Sequence, residues 1–83
     1  MLTKYDVNEI KNIFEKDGEV LINGISFNKQ FQIRKWNNEI EVRIWNIDDF
    51  GNYLFEKSKF FRNINDAIDW LDDILDSEIY DII

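Results

Sequence analysis

The chain has 83 residues, with 17 acidic side chains against 10 basic ones, a formal net charge of -7, and no cysteine, histidine or proline. That length accommodates one core, so a single domain over residues 1–83 is expected; the 45% hydrophobic content argues against disorder, and no apolar run approaches the ~18–20 residues of a membrane span. Without cysteine there are no disulfides, thiolate metal sites or cysteine nucleophiles, and the opening Met1-Leu2-Thr3-Lys4-Tyr5 lacks a hydrophobic signal core, which makes the cytoplasm the expected compartment.

The first element is a helix near residues 4–16. Thr3 caps it, Asp6 takes the reciprocal position three residues on, and Asp17-Gly18 ends it in the left-handed conformation glycine accepts. Val7, Ile10, Ile13 and Phe14 recur at helical spacing, leaving Lys4, Asn8, Lys11 and Glu15 on the wet side. Residues 19–27 favour extended structure interrupted by Asn23-Gly24. They form either a tight hairpin at that dipeptide or one longer strand with a bulge there; the shift in apolar parity from Val20 and Ile22 to Ile25 and Phe27 favours the bulge.

A hairpin follows, turning at Asn37-Asn38. It sets Ile33 opposite Val42, Phe31 opposite Ile44, Arg34 opposite Glu41 and Lys35 opposite Ile40. One face then carries Phe31, Ile33, Ile40, Val42 and Ile44. The other carries Gln32, Arg34, Trp36, Glu39, Glu41, Arg43 and Trp45. Asp48–Asn52 reads as a loop that lacks the alternating oxygen ligands of an EF-hand, Tyr53–Lys57 as a further strand, and Phe60-Phe61 as apolar anchors leading into a second helix. Asn63 or Asn65 caps that helix, whose stripe is Ile64, Ala67, Ile68, Leu71, Ile74 and Leu75. The expected fold is α+β: an N-terminal helix, a three- to four-stranded antiparallel sheet and a C-terminal acidic helix, in the order α-β-β-β(-β)-α.

Charge divides this chain unevenly. Residues 1–65 hold ten acids and all ten bases, whereas residues 66–83 hold seven acids and no base. At about 100° per residue, Asp66, Asp69, Asp72, Asp73 and Asp76 share an arc of about 120° opposite the apolar stripe. Spread over about 15 Å of axis, they give one charge per ~3–4 Å, close to the ~3.4 Å spacing along one DNA strand. The arrangement opposes folding, because Asp is a poor helix former and Asp69/Asp73 and Asp72/Asp76 are like-charge pairs one turn apart. Such a face either docks into a cationic partner or is a solvated surface that maintains solubility; solvated faces generally mix signs, so the lack of lysine and arginine favours the partner.

Other chemistries have less to work with. Asp72-Asp73-Ile74-Leu75-Asp76 spells the DDxxD string of terpene and prenyl synthases, but that family needs a large helical bundle and a second metal motif. Arg34, Arg43, Lys29, Trp36 and Trp45, placed together on the outer sheet face, offer stacking and cation contacts to nucleic acid or to a protein partner; the alternative for the tryptophans is partial burial against the last strand or a terminus. The element order looks like that of the double-stranded-RNA-binding domain, yet the aspartates stand where that family carries its basic cluster. With no histidine or cysteine, and Ser26, Ser58 and Ser77 in no nucleophile setting, catalysis is not expected. Tyr5, Tyr53 and Tyr80 read as core or edge aromatics.

In size, acidity and αβ pattern the chain resembles the small inhibitors encoded by phages and mobile elements, anti-CRISPR proteins and other nucleic-acid mimics among them. The resemblance covers the whole chain in outline and rests on no diagnostic motif. It implies a non-enzymatic, cofactor-free protein that occupies the basic groove of a nucleic-acid-binding enzyme, such as a CRISPR effector nuclease, without itself binding nucleic acid or membrane. Asp66, Asp69, Asp72, Asp73 and Asp76 would pair with its Lys and Arg, Glu78 and Asp81 would extend the track, and Trp36 and Trp45 would add apolar anchors. The alternatives are an antitoxin or immunity protein, or an assembly protein that homodimerises through Ile79, Tyr80, Ile82 and Ile83 or through the Trp face.

Overall fold

The computed structural model describes residues 2–24, 28–75 and 80–82. Its elements are α1 (Lys4–Asp17), β1 (Glu19–Gly24), β2 (Lys29–Trp36), β3 (Glu39–Ile47), β4 (Tyr53–Phe61), α2 (Ile64–Ile74) and β5 (Tyr80–Ile82). The strands form one antiparallel sheet in the order β4-β3-β2-β1-β5, which is an α+β fold.

Local chemistry sets the first boundaries. Thr3 Oγ1 accepts from the Asp6 amide while Asp6 Oδ2 accepts from the Thr3 amide, so two otherwise orphaned donors of the first turn are satisfied together. Gly18 closes α1 at φ 75°, its amide donating to the Phe14 carbonyl. The β2–β3 hairpin turns at Asn37 and Asn38, φ 48° and 65°, the left-handed pair that matches strand twist. All four expected cross-strand pairs, Ile33–Val42, Phe31–Ile44, Arg34–Glu41 and Lys35–Ile40, are present.

Alternation does the rest. Val20, Ile22, Phe31, Ile33, Ile40, Val42 and Ile44 point to one side, where Ile10 and Phe14 of α1 and Ala67, Ile68, Leu71 and Leu75 of α2 close over them in a single buried cluster. Both helices therefore lie on one face, and no described helix covers the other.

Three expectations change. Asn23 and Gly24 are neither a turn nor a bulge: they lie within β1, opposite Gln30 and Lys29, because pairing all six residues with β2 sets Val20 against Ile33 and Ile22 against Phe31 on the core side. Ile25, Ser26 and Phe27 lie outside the described residues. The fourth strand runs on through Phe60 and Phe61, which pair with Glu41 and Ile40 rather than leading into the helix. A register shift between Ile44 and Trp45 lets β4 carry one extra residue, and it keeps Phe55 and Phe60 on the same outer side although they are five positions apart. Finally, the chain does not end in α2. Three further residues form β5 against β1, bringing Tyr80 beside α1, where its hydroxyl donates to Asp6 Oδ2 at 2.6 Å.

Candidate functional site

Two surfaces carry the residues singled out by the sequence. The first is the outer side of α2. Asn63 caps the helix, its Oδ1 accepting from the Asp66 amide at 2.9 Å and its Nδ2 donating to Asp66 Oδ2 at 3.2 Å. Asp66, Asp69 and Asp73 are exposed, and none of the ion pairs among the described residues involves them. Asp72 is different: it is half-buried, and its Oδ1 accepts the backbone amide of Leu2, a buried residue 70 positions away. That carboxylate fastens the amino-terminal arm to the helix, at the edge of the arc where rotation places it nearest the core. The described acidic face is thus three carboxylates over about 10 Å of axis, roughly one per 5 Å. Asp76 and Glu78 lie outside the described residues. Asp81 is exposed on β5, opposite Asn23, and so does not continue the helical track. Of the DDxxD string, Asp72 and Asp73 lie in the last turn of α2, and its third aspartate is outside the described residues. Among the described residues no group of three carboxylates is placed to hold a metal ion.

The second surface is the open face of the sheet, and its chemistry follows from alternation opposite the core. Trp36, Arg34, Glu41, Arg43 and Trp45 form a continuous row across β2 and β3. The Arg34 guanidinium lies 4.5 Å from the Trp36 ring centre, and that of Arg43 lies 5.4 Å from Trp45 and 5.6 Å from Phe55. Between them Glu41 is only 5% exposed, although it points away from the core. Arg34 Nε donates to its Oε1 at 2.6 Å, and Arg43 Nε sits 3.5 Å from the same oxygen without a hydrogen bond. Two guanidiniums thus share one carboxylate. Trp45 meets Phe55 edge-on at 5.4 Å, and its indole N–H reaches Gln32.

Trp45 is accordingly half-buried against β4, whereas Trp36 stays 47% exposed, and β4 adds Tyr53, Phe55 and Phe60, each about half exposed. Tyr53 and Phe55 were legible as strand residues, whereas Phe60 was expected to lead into the helix; that all three would flank the tryptophan row was hidden by the register shift. Lys29 does not belong here, since it shares parity with Phe31 and bonds Glu56 at 2.8 Å. Tyr5 is no core aromatic: it stands 86% exposed on α1.

The remaining loop acid, Asp48, turns back on its own loop. It accepts from the amides of Phe50 and Asn52, and the Asn52 contacts chiefly hold its carboxyl below the ordinary range. Among the described residues no helix is long and apolar enough to cross a membrane. No known protein family, curated protein sequence or solved structure matches this chain.

Proposed function

We propose that the protein is a non-enzymatic binding module that presents the outer face of α2 to a basic protein surface, and that it inhibits a nucleic-acid-binding enzyme by occupying its cationic cleft. The observation that supports this reading is the set of exposed carboxylates Asp66, Asp69 and Asp73 on one helix face, with no described lysine or arginine paired to them. Carboxylates left unpaired and solvated in the free protein remain available to a cationic surface, and their field steers such a surface into contact. Asp72, held by Leu2, supports the helix rather than the contact. Inhibition, as opposed to simple binding, rests on the likeness in size and acidity to phage-encoded inhibitors.

The test is charge reversal at Asp69→Lys with Asp73→Lys. Both residues are exposed and make no described hydrogen bond, so the variant is expected to fold. Capture of a basic nucleic-acid enzyme at moderate salt should fall at least tenfold, and the wild-type interaction should weaken steeply with ionic strength. Undiminished capture by the reversed helix removes α2 as the binding surface.

A further inference from the structure

Three elements far apart in the chain meet at Leu2 and Thr3. The amide of Leu2 donates to Asp72 Oδ1 of α2 at 2.5 Å, and the amide of Thr3 donates to Asp6 Oδ2 of α1 at 3.0 Å. That same Asp6 oxygen accepts the hydroxyl of Tyr80, from β5, at 2.6 Å. Two successive backbone donors are thus held by two carboxylates, and the second carboxylate also holds the closing strand. Burial chiefly, then Asp6, raise the Tyr80 hydroxyl, and the Asp72 charge adds to the rise, which places that carboxylate near β5 as well. The Leu2 side chain is buried in the core cluster against which Tyr80 and Ile82 pack.

Neither attachment is extensive by itself. β5 pairs with β1 over three residues, Ile82 with Ile22, Asp81 with Asn23 and Tyr80 with Gly24, and so short a strand opens locally unless something else holds it. Leu2 and Thr3 precede α1 and belong to no helix or strand, so side chains must satisfy their amides. Asp6 joins the two, because one oxygen fixes both the arm and the strand.

We propose that the Leu2–Thr3 arm is a two-sided clasp that couples the seating of β5 to the end of α2, so that arm and strand open as one unit. Opening frees two groups together. One is the backbone edge of β1 at Ile22–Gly24; the other is the Asp72 carboxylate, which then stands on α2 without its backbone partner. The closed form engages both. The clasp does not depend on the reading of α2 as a docking surface, since every contact in it is internal.

Native-state hydrogen exchange on the full chain, followed by NMR, tests the clasp. Asp72 accepts from Leu2 and not from β5, yet Asp72→Ala should speed exchange of the protected amides in the β1–β5 ladder about fivefold, the factor that one lost hydrogen bond gives. Asp72→Asn keeps an acceptor for Leu2 and should recover part of that protection. Asp73→Ala, the same change at the neighbouring exposed position, should leave the ladder within about twofold of wild type. The unmutated chain supplies a second measurement should Asp72→Ala not fold. There the amides of Asp6 and Val7, which donate to Thr3, should open with the ladder along one urea dependence, at lower urea than the β2–β3 amides. A ladder unmoved by Asp72→Ala overturns the clasp, as does one moved equally by Asp73→Ala or not recovered by Asp72→Asn. So do arm and ladder amides that open along separate urea dependences, or only together with β2–β3.

Discussion

The two sides of the sheet are built from the same strands and differ in almost everything else. The covered side uses Val20, Ile22, Phe31, Ile33, Val42 and Ile44, all at most 2% exposed and sealed by two amphipathic helices. The open side uses Trp36, Trp45, Tyr53, Phe55 and Phe60, interleaved with Arg34, Glu41 and Arg43. Branched aliphatics pack where water is fully excluded. Flat rings and guanidiniums tolerate partial wetting, because a ring face holds a cation in water and still offers apolar area to a partner. The contrast separates the residues that make the domain from those available to use it.

The strongest way to break that contrast is to truncate the same residue type on each side. Phe31→Ala opens a cavity beneath α1 and α2 and should cost about 3–5 kcal/mol, most of the ~5 kcal/mol a domain of this size has to spare. Phe60→Ala removes a ring already 46% exposed and should cost under about 1 kcal/mol. Urea denaturation monitored by circular dichroism distinguishes them, and equal losses would mean the open face is structural.

Glu41 tests the one place where the open side behaves like a core. Glu41→Gln keeps the shape and removes the charge shared by Arg34 and Arg43, leaving both guanidiniums uncompensated. Each arginine side chain is more than a quarter exposed, so water screens part of the loss, and about 1–2 kcal/mol is expected in a urea melt at neutral pH.

How much of this contrast could be read along the chain depended on how local its cause was. The cap at Thr3 and Asp6, the stop at Gly18 and the turn at Asn37-Asn38 each involve residues within a few positions of one another, and a sequence displays such chemistry directly. The two tryptophans fell on the open side by simple alternation from that turn. By contrast, β1 continues through Asn23-Gly24 only because β2 lies alongside it, and turn chemistry alone points elsewhere. Phe60-Phe61 is apolar enough to enter a helix or end a strand, and the partner strand decides. Tyr80–Ile82 is too short to show any period. Among the aspartates, helical rotation placed Asp66, Asp69 and Asp73 together, but the use of Asp72 by the Leu2 amide spans nearly the whole chain and leaves no local mark.

The contact between Tyr80 and Asp6 is a smaller, pH-sensitive version of the same long-range tie. The Tyr80 hydrogen bond, followed by the Thr3 amide, holds the Asp6 carboxyl below its ordinary value, while burial and then Asp6 push the Tyr80 hydroxyl up to about 12. Asp6 therefore adds stability that is complete above the ordinary carboxylate range and is lost as pH falls through its lowered value. Tyr80 adds stability complete below about pH 10 and lost as pH rises from there towards 12. Tyr80→Phe should cost about 1 kcal/mol at pH 7, with the loss shrinking at both extremes. A constant difference across a pH series of thermal melts would show that the hydroxyl is not the source.

The smallest expected change has the sharpest meaning, because it separates aspartates within α2 itself. Asp69 and Asp73 repel each other across one helical turn, and Asp73 lies at the negative end of the helix dipole. Replacing both by lysine removes that repulsion, complements the dipole and improves helix propensity, so Asp69→Lys/Asp73→Lys should gain about 0.5 kcal/mol. Asp72→Lys changes propensity and dipole in the same favourable direction, yet it removes the acceptor of the Leu2 amide and should lose about 1 kcal/mol instead. Opposite signs from chemically identical substitutions, measured in parallel denaturant titrations, would mean that the exposed pair is maintained against the interest of folding. That outcome would fit the proposed contact with a basic partner, for which the outer carboxylates would be kept while Asp72 serves as a fastener. If all three lysines shift stability alike, the acidic face is a solvated surface and the case for a basic partner falls with it.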